Sequence, residues 1–257
     1  MALLTALEFL TVFRLPMGGR RPAGAEQIAR SQGLFPLVGL LLGLMLVGLD
    51  RGLSGVMPLP ATAALLVVAL VVATGGLHLD GLADTCDGLF GGSSPPERLA
   101  IMRDSRVGTF GVLALVCVLL LRWAAFLSLV SPVRRGALLL APALGRWAMV
   151  GAVAALPYAR PEGLGRAMHR AAWPIPTLIA AAIALAASLL LFPAWGIALF
   201  ALALLVGGLI ALYAGGKLGG LTGDVYGAIS ECVEVAVLLA IVAGQETGHL
   251  EAWLWRG

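Results

Sequence analysis

Long uncharged runs alternate with short polar loops along the whole chain, and the lengths of the runs decide what they are. A helix that crosses a bilayer needs roughly 20 apolar residues. Runs of that order cover 31–49, 52–79, 107–133 and 136–159, the last two each broken once, by Arg122 and by Arg146. Residues 171–216 carry no charged side chain, far more than one crossing requires, and Phe192-Pro193-Ala194 in the middle supplies a hairpin, so two helices are expected there. A seventh run covers 225–243, with Glu231 and Glu234 in its first half. The start of the chain has no basic segment and is too short to span before Arg14 and Pro16, so it reads as an interfacial amphipathic helix and not as a signal peptide. The expectation is an all-α, polytopic helical membrane protein: one integral domain over 1–257, with about seven transmembrane helices behind the N-terminal interfacial helix.

Composition agrees and narrows the choice. With 60% hydrophobic and only 12% charged residues, and a mean hydropathy of +0.98, neither a water-soluble core nor a disordered chain is described. Three cysteines, Cys86, Cys117 and Cys232, cannot make a disulfide framework. The net charge of +3 comes from arginines scattered between apolar runs, a pattern that orients a chain in a lipid bilayer and does not call for a nucleic-acid partner. Assigning alternate loops to alternate sides gathers Arg14, Arg20, Arg21, Arg30, Arg98, Arg103, Arg106, Arg160, Arg166, Arg170 and Lys217 on one side. The other side keeps Arg51, Arg134, Arg135 and Arg256. The excess of Lys and Arg marks the cytoplasmic side, so the N-terminus and the polar loops near 14–30, 80–106, 160–170 and 215–230 are expected at the cytoplasmic face of the inner membrane.

Those loops hold the candidate chemistry. Asp80, Asp84 and Asp87 stand at i, i+4 and i+7, on one face if the second span continues as a helix. Three carboxylates so placed repel one another unless a cation compensates, and a hard divalent ion such as Mg2+ takes oxygen ligands while keeping room for substrate phosphates. A solvated acidic helix end is the plain alternative; three on one face beside an apolar span, followed by Gly88, Gly91 and Gly92, favour the ion. His78 precedes them as a candidate substrate contact. Downstream, Arg103 and Arg106 flank Asp104, dense enough for phosphate oxygens, which guanidinium forks match. Near the other end, Thr222 is placed to cap a helix that carries Asp224, Glu231 and Glu234 as a second acidic stripe. Arg122 and Arg146 are costly inside a span, by about 2.5–3.5 kcal/mol at its centre, so they are expected to face the bundle interior and find an acidic or phosphate partner.

Three stretches carry a family likeness: Leu77-His78-Leu79-Asp80-Gly81-Leu82-Ala83-Asp84 with Asp87-Gly88, Met102-Arg103-Asp104-Ser105-Arg106-Val107-Gly108-Thr109-Phe110-Gly111, and Gly220-Leu221-Thr222-Gly223-Asp224-Val225-Tyr226-Gly227-Ala228. Together, and in this order, they closely resemble the cobalamin synthases, the adenosylcobinamide-GDP ribazoletransferases. Phe9-Leu10-Thr11, Arg14-Leu15-Pro16 and Phe35-Pro36-Leu37-Val38-Gly39 are similar to that family too. The resemblance implies a Mg2+-dependent enzyme at the cytoplasmic face that joins adenosylcobinamide-GDP to α-ribazole or its 5′-phosphate and releases GMP. It also implies a homo-oligomer or association with other cobamide-assembly enzymes as a possible setting. On this reading Asp80, Asp84 and Asp87, with Asp104, hold the metal on the diphosphate and serve catalysis. Arg103 and Arg106 grip its oxygens, and His78, Arg122, Arg146, Asp224, Glu231 and Glu234 are candidate substrate contacts. Trp123, Trp147 and Tyr226 are offered as surfaces for a corrinoid ring.

Three other readings stand beside it. Asp84-x-x-Asp87-Gly88 is similar to the opening of the CDP-alcohol phosphotransferase signature, but Gly91-Gly92 stand where that family has Ala-Arg. A secondary transporter also places charges in broken helices, yet the acidic motifs fall at span ends and no inverted repeat is evident. A passive scaffold leaves the two carboxylate motifs unexplained.

Overall fold

The computed structural model describes residues 1–14, 23–172 and 174–247. Leu15, Pro16, Arg20, Arg21 and Arg256, which entered the sequence reading, lie outside the described residues. Among the described residues twelve α-helices run in chain order. α1 is Ala2–Leu10, α2 Ala25–Ser31, α3 Phe35–Leu53, α4 Leu59–Thr74, α5 Leu77–Gly91 and α6 Pro95–Ile101. α7 is Thr109–Ser128, α8 Val133–Ala155, α9 Leu164–Ala172, α10 Ile175–Leu191, α11 Gly196–Leu218 and α12 Gly223–Glu246. No strand is present among the described residues.

Among the described residues five stretches are long and apolar enough to cross a membrane: Ala25–Leu53, α7, α8, α11 and α12. Two bent pairs, α4 with α5 and α9 with α10, bring the total to seven if each pair counts as one span, in line with the polytopic fold expected from the pattern. α8 and α12 form the buried centre, whereas α7 and α11 turn most of their surface outward. The turn between α10 and α11 falls at the expected Phe192-Pro193-Ala194.

The second span differs from the expectation. It stops at Thr74, because Gly75 and Gly76 both take left-handed backbone at φ +62° and +69°, which glycine alone adopts without strain. The helix that restarts at Leu77 runs at 89° to the one before. Asp80, Asp84 and Asp87 therefore ride on α5, a helix of its own, and not on the end of α4.

Helices approach closely where glycine removes the side chain. On α3, a Cβ at Gly43 would fall 2.5 Å from the Leu138 carbonyl, and Gly39 abuts Pro142 and Ala143 in the same way, so α3 and α8 meet backbone to backbone. α5 crosses α12 by the same device. A Cβ at Gly81 would lie 2.7 Å from the Asp224 carbonyl, and one at Gly227 3.1 Å from the backbone of His78. A short parallel bridge joins Tyr158 to Leu221. In it Ala159 N–H donates to the Leu221 carbonyl and Leu221 N–H to that of Pro157, both at 2.8 Å, so the segment after α8 lies against the start of α12.

Gly81→Ala is expected to cost about 1–3 kcal/mol, the usual penalty of overpacking, because the clash is with fixed backbone. Gly216→Ala, whose Cβ would meet nothing within 4 Å, is expected to unfold at or above the wild-type temperature. Thermal unfolding of the purified protein in detergent checks both.

Candidate active site

The α5–α12 crossing opens a cavity of about 230 Å³ at one end of the bundle. His78 and Asp80 line it from α5, Asp224 and Tyr226 from α12, and Tyr158 and Arg160 from the segment after α8. Phe9, Met149, Leu164 and Met168 make an apolar wall opposite. Arg160 is brought in by the bridge to Leu221 and its Nη2 donates to Asp224 Oδ2 at 2.9 Å. Thr222 caps α12 as expected, its hydroxyl accepting from Val225 N–H at 3.4 Å. Asp84, half-buried, feels the charges of Asp80, Asp224 and Asp87, with Arg160 opposing them. The two acidic motifs, about 140 residues apart in the chain, thus share one electrostatic neighbourhood.

Asp87 has an additional task. Its carboxylate accepts from Gly108 N–H at 2.7 Å and Gly111 N–H at 2.8 Å, so it sits on the N-terminus of α7, where orphan donors and the helix dipole favour an anion. A Cβ at Gly108 or Gly111 would strike that carboxylate, which explains both glycines. Asp104 stands elsewhere than with Asp80 and Asp84. It lines a separate cavity with Asp87, Arg106 and Phe110, and its exposed carboxylate pairs with Arg106 at 2.7 Å. Hydrogen bonds from Arg106 hold it below the usual carboxylate range, at about 2. Arg103 is exposed on the same loop.

No three His, Cys, Asp or Glu side chains among the described residues converge closely enough to hold a metal by themselves. The expected set of Asp80, Asp84, Asp87 and Asp104 is therefore not assembled as a cage. The donors still suit a hard cation, since Asp84 feels three other carboxylates, Asp80, Asp224 and Asp87, against Arg160, and Mg2+ ordinarily completes its shell with waters and substrate phosphates.

The charged residues expected inside the spans find one another. Arg122 Nη2 lies 2.6 Å from Glu231 and 3.2 Å from Glu234, and Arg146 donates to Glu234. Arg146 is 0%, Arg122 and Glu234 1%, and Glu231 4% exposed. They form a sealed network joining α7, α8 and α12, and none of the four lines either cavity described above. Of the acidic or phosphate partner expected for Arg122 and Arg146, the structure supplies the acidic one, and the four expected substrate contacts stand apart from both cavities. His78 bridges the two regions. It lines the cavity, feels the charges of Arg146 and Arg122, and neither ring nitrogen has a partner among the described residues. Tyr226 Oη is likewise buried without one, so the cavity floor of His78 and Tyr226 is polar and ready for a ligand or water.

Of the proposed ring surfaces, only Tyr226 is in the cavity. Trp123 donates to Pro60 at the far end of α7, and Trp147 stacks on Phe200 with centroids 3.8 Å apart. Sequence reasoning missed Arg160 and Tyr158, because an arginine just past an apolar run looks like an orientation charge. It missed Phe9, Met149 and Met168 because apolar residues there look like any others.

These features define a polytopic helical membrane protein with an acidic, arginine-bearing cavity at one end of its bundle. A family model described as cobalamin-5-phosphate synthase matches residues 2–242, and the chain belongs to that family. A relative from Desulforamulus reducens is 38% identical over 245 residues, covering 95% of this chain and 97% of its own. One from Pseudomonas putida is 43% identical over 244 residues, covering 94% and 98%. Both are named adenosylcobinamide-GDP ribazoletransferase. No solved structure matches the chain.

Removing one member of a buried ion pair leaves a charge without compensation, typically at about 3–5 kcal/mol. Glu234→Gln, which strips Arg146 of its only carboxylate among the described residues, is expected to unfold at a markedly lower temperature than Asp104→Asn, whose pair is exposed. Parallel melting curves in detergent decide it.

Proposed function

We propose that this chain is an adenosylcobinamide-GDP ribazoletransferase acting at the cytoplasmic face of the inner membrane. A hydroxyl of α-ribazole, free or as its 5′-phosphate, attacks the cobinamide-bound phosphorus of the diphosphate. The bond to GMP breaks, and the product is adenosylcobalamin or its 5′-phosphate. The observation that carries this reading is the α5–α12 crossing, which brings Asp80 and Asp84 of one family motif beside the Asp224–Arg160 pair of another.

Asp80, Asp84 and Asp224, with Asp87 behind them, are the residues that would hold Mg2+. The ion would neutralise charge on the diphosphate and the leaving phosphate. Arg160 orients Asp224 and faces the same cavity, in reach of a phosphate oxygen once substrate enters. The exposed Arg103 and Arg106 are suited to meet the nucleotide outside it. A carboxylate of this group that is not engaged with the ion takes the hydroxyl proton. The apolar wall of Phe9, Met149 and Met168 suits the face of a large ring, and it keeps water away from the reacting phosphorus.

In liposomes supplied with adenosylcobinamide-GDP, α-ribazole 5′-phosphate and Mg2+, GMP and a complete cobamide are expected in equal amounts. EDTA is expected to abolish both, and Asp84→Asn to slow them by roughly 10²-fold or more. If turnover and its metal dependence both survive that substitution in folded protein, the carboxylate assignment is wrong. For the orientation, a cysteine introduced at Ser93 in a cysteine-free background is expected to react with a membrane-impermeant maleimide only from the cytoplasmic side. Labelling of intact spheroplasts from outside would invert the topology.

A further inference from the structure

Two side chains face the acidic cavity with hydrogen-bonding capacity that nothing among the described residues takes up. Tyr226 on α12 and His78 on α5 both line it, and they are only 2% and 3% exposed. Neither Tyr226 Oη nor either ring nitrogen of His78 has a partner. The two stand on the helices that touch at the glycine crossing, where a Cβ at Gly227 would lie 3.1 Å from the His78 backbone. Each is two residues from a carboxylate of the site, His78 before Asp80 and Tyr226 after Asp224, so what they hold lies beside the reacting groups. A buried polar group left unpaired costs free energy, and two of them at one cavity make a surface built for a ligand.

The chemistry of the two groups narrows the choice of ligand. A phenol hydroxyl both donates and accepts, and an uncharged imidazole donates at one nitrogen and accepts at the other. A phosphate oxygen only accepts, and Asp80 and Asp224 beside the two side chains repel it. An apolar ring face would use none of the capacity. A hydroxyl donates and accepts at one atom, so one placed between the two side chains satisfies both. Under the function proposed above such a group enters here of necessity. The 5′-phosphate of α-ribazole keeps two free hydroxyls on adjacent ribose carbons, and while one attacks the phosphorus the other lies next to it.

We propose, resting on that transferase reading, that His78 and Tyr226 together grip the ribose hydroxyl next to the attacking one, and that this grip selects ribose over deoxyribose in the acceptor. With that hydroxyl fixed between two helices, its neighbour is turned toward the phosphorus and left free for the carboxylate that takes its proton. The test measures cobamide formation in liposomes with α-ribazole 5′-phosphate and with whichever of its two monodeoxy forms still reacts. In the wild type, loss of the gripped hydroxyl is expected to lower kcat/KM by roughly 10- to 100-fold. Tyr226→Phe is expected to lose a similar factor with the full acceptor, to be nearly indifferent to the deoxy form, and to unfold at the wild-type temperature, since Oη has no partner to lose. His78→Leu is expected to behave alike, and His78→Gln, which keeps a donor and an acceptor, to recover part of the preference. If the losses from Tyr226→Phe and from the deoxy form multiply, the floor serves another polar group, such as a carboxamide of the corrinoid, and the proposal is overturned. A marked drop in the unfolding temperature of Tyr226→Phe overturns it too, because the phenol then has a structural task. An active wild type without preference for the ribose form sinks this inference alone, whereas a wild type that makes no cobamide removes the transferase reading and this inference with it. Should His78→Leu not fold, Tyr226→Phe decides the matter.

Discussion

A guanidinium in hydrocarbon has no water to share its charge with, so a neighbouring helix must bring a carboxylate to it or the helix will not stay where it is. Arg122 and Arg146 meet that requirement together through Glu231 and Glu234, on three different helices. The network is a coordinate system for the bundle. It fixes the rotation of α12 about its own axis, because only one face of that helix carries both glutamates. Once that rotation is set, the residues two turns nearer the N-terminus, Asp224 and Gly227, must point toward α5. The position of the acidic cavity is thus decided several residues below it, by charges that no substrate needs to touch.

Two pairs of glycines translate that anchor into a site. Gly75 and Gly76 break the second span so that the helix with three aspartates leaves at a right angle to it. Gly81 and Gly227 then let α5 and α12 touch through their backbones. A side chain of ordinary size at either contact would hold the helices apart and separate Asp80 and Asp84 from Asp224. Asp87 closes the arrangement from the other side by holding the N-terminus of α7. The same carboxylate cluster that is costly in electrostatic terms is therefore assembled by three independent backbone contacts. A cluster that repels itself needs such external constraint.

Much of this could be read from the sequence, and the reasons are physical. The spans were legible because lipid demands apolar length, and the hairpin at Pro193 because proline and the length of the run leave no alternative. Arg122 and Arg146 were legible as interior charges seeking acids, since their cost in lipid is large. The carboxylate motifs were legible as a cluster because helical spacing puts them on one face. What was not legible depends on distance in the chain. Nothing local tells that Arg160 pairs with Asp224, that Glu231 and Glu234 belong to the buried network and not to the cavity, or that Asp104 turns to Arg106. The break after Thr74 was visible as Gly75-Gly76, but two glycines at the end of an apolar run also fit a helix that simply continues.

The cavity combines two walls that ordinarily repel each other's ligands. One is acidic, with Arg160 set against Asp80 and Asp224; the other is built from Phe9, Met149, Leu164 and Met168. A free phosphate would be rejected by the first wall, and an uncharged hydrophobe would leave that wall's repulsion and the polar floor of His78 and Tyr226 unsatisfied. A molecule with a large ring and a diphosphate satisfies both at once, provided a divalent cation travels with the diphosphate. Under the proposed reaction the metal is then a condition of binding as well as of chemistry. The acidic wall would accept the diphosphate only with its charge masked by a divalent cation, which Asp80, Asp84 and Asp224 would hold.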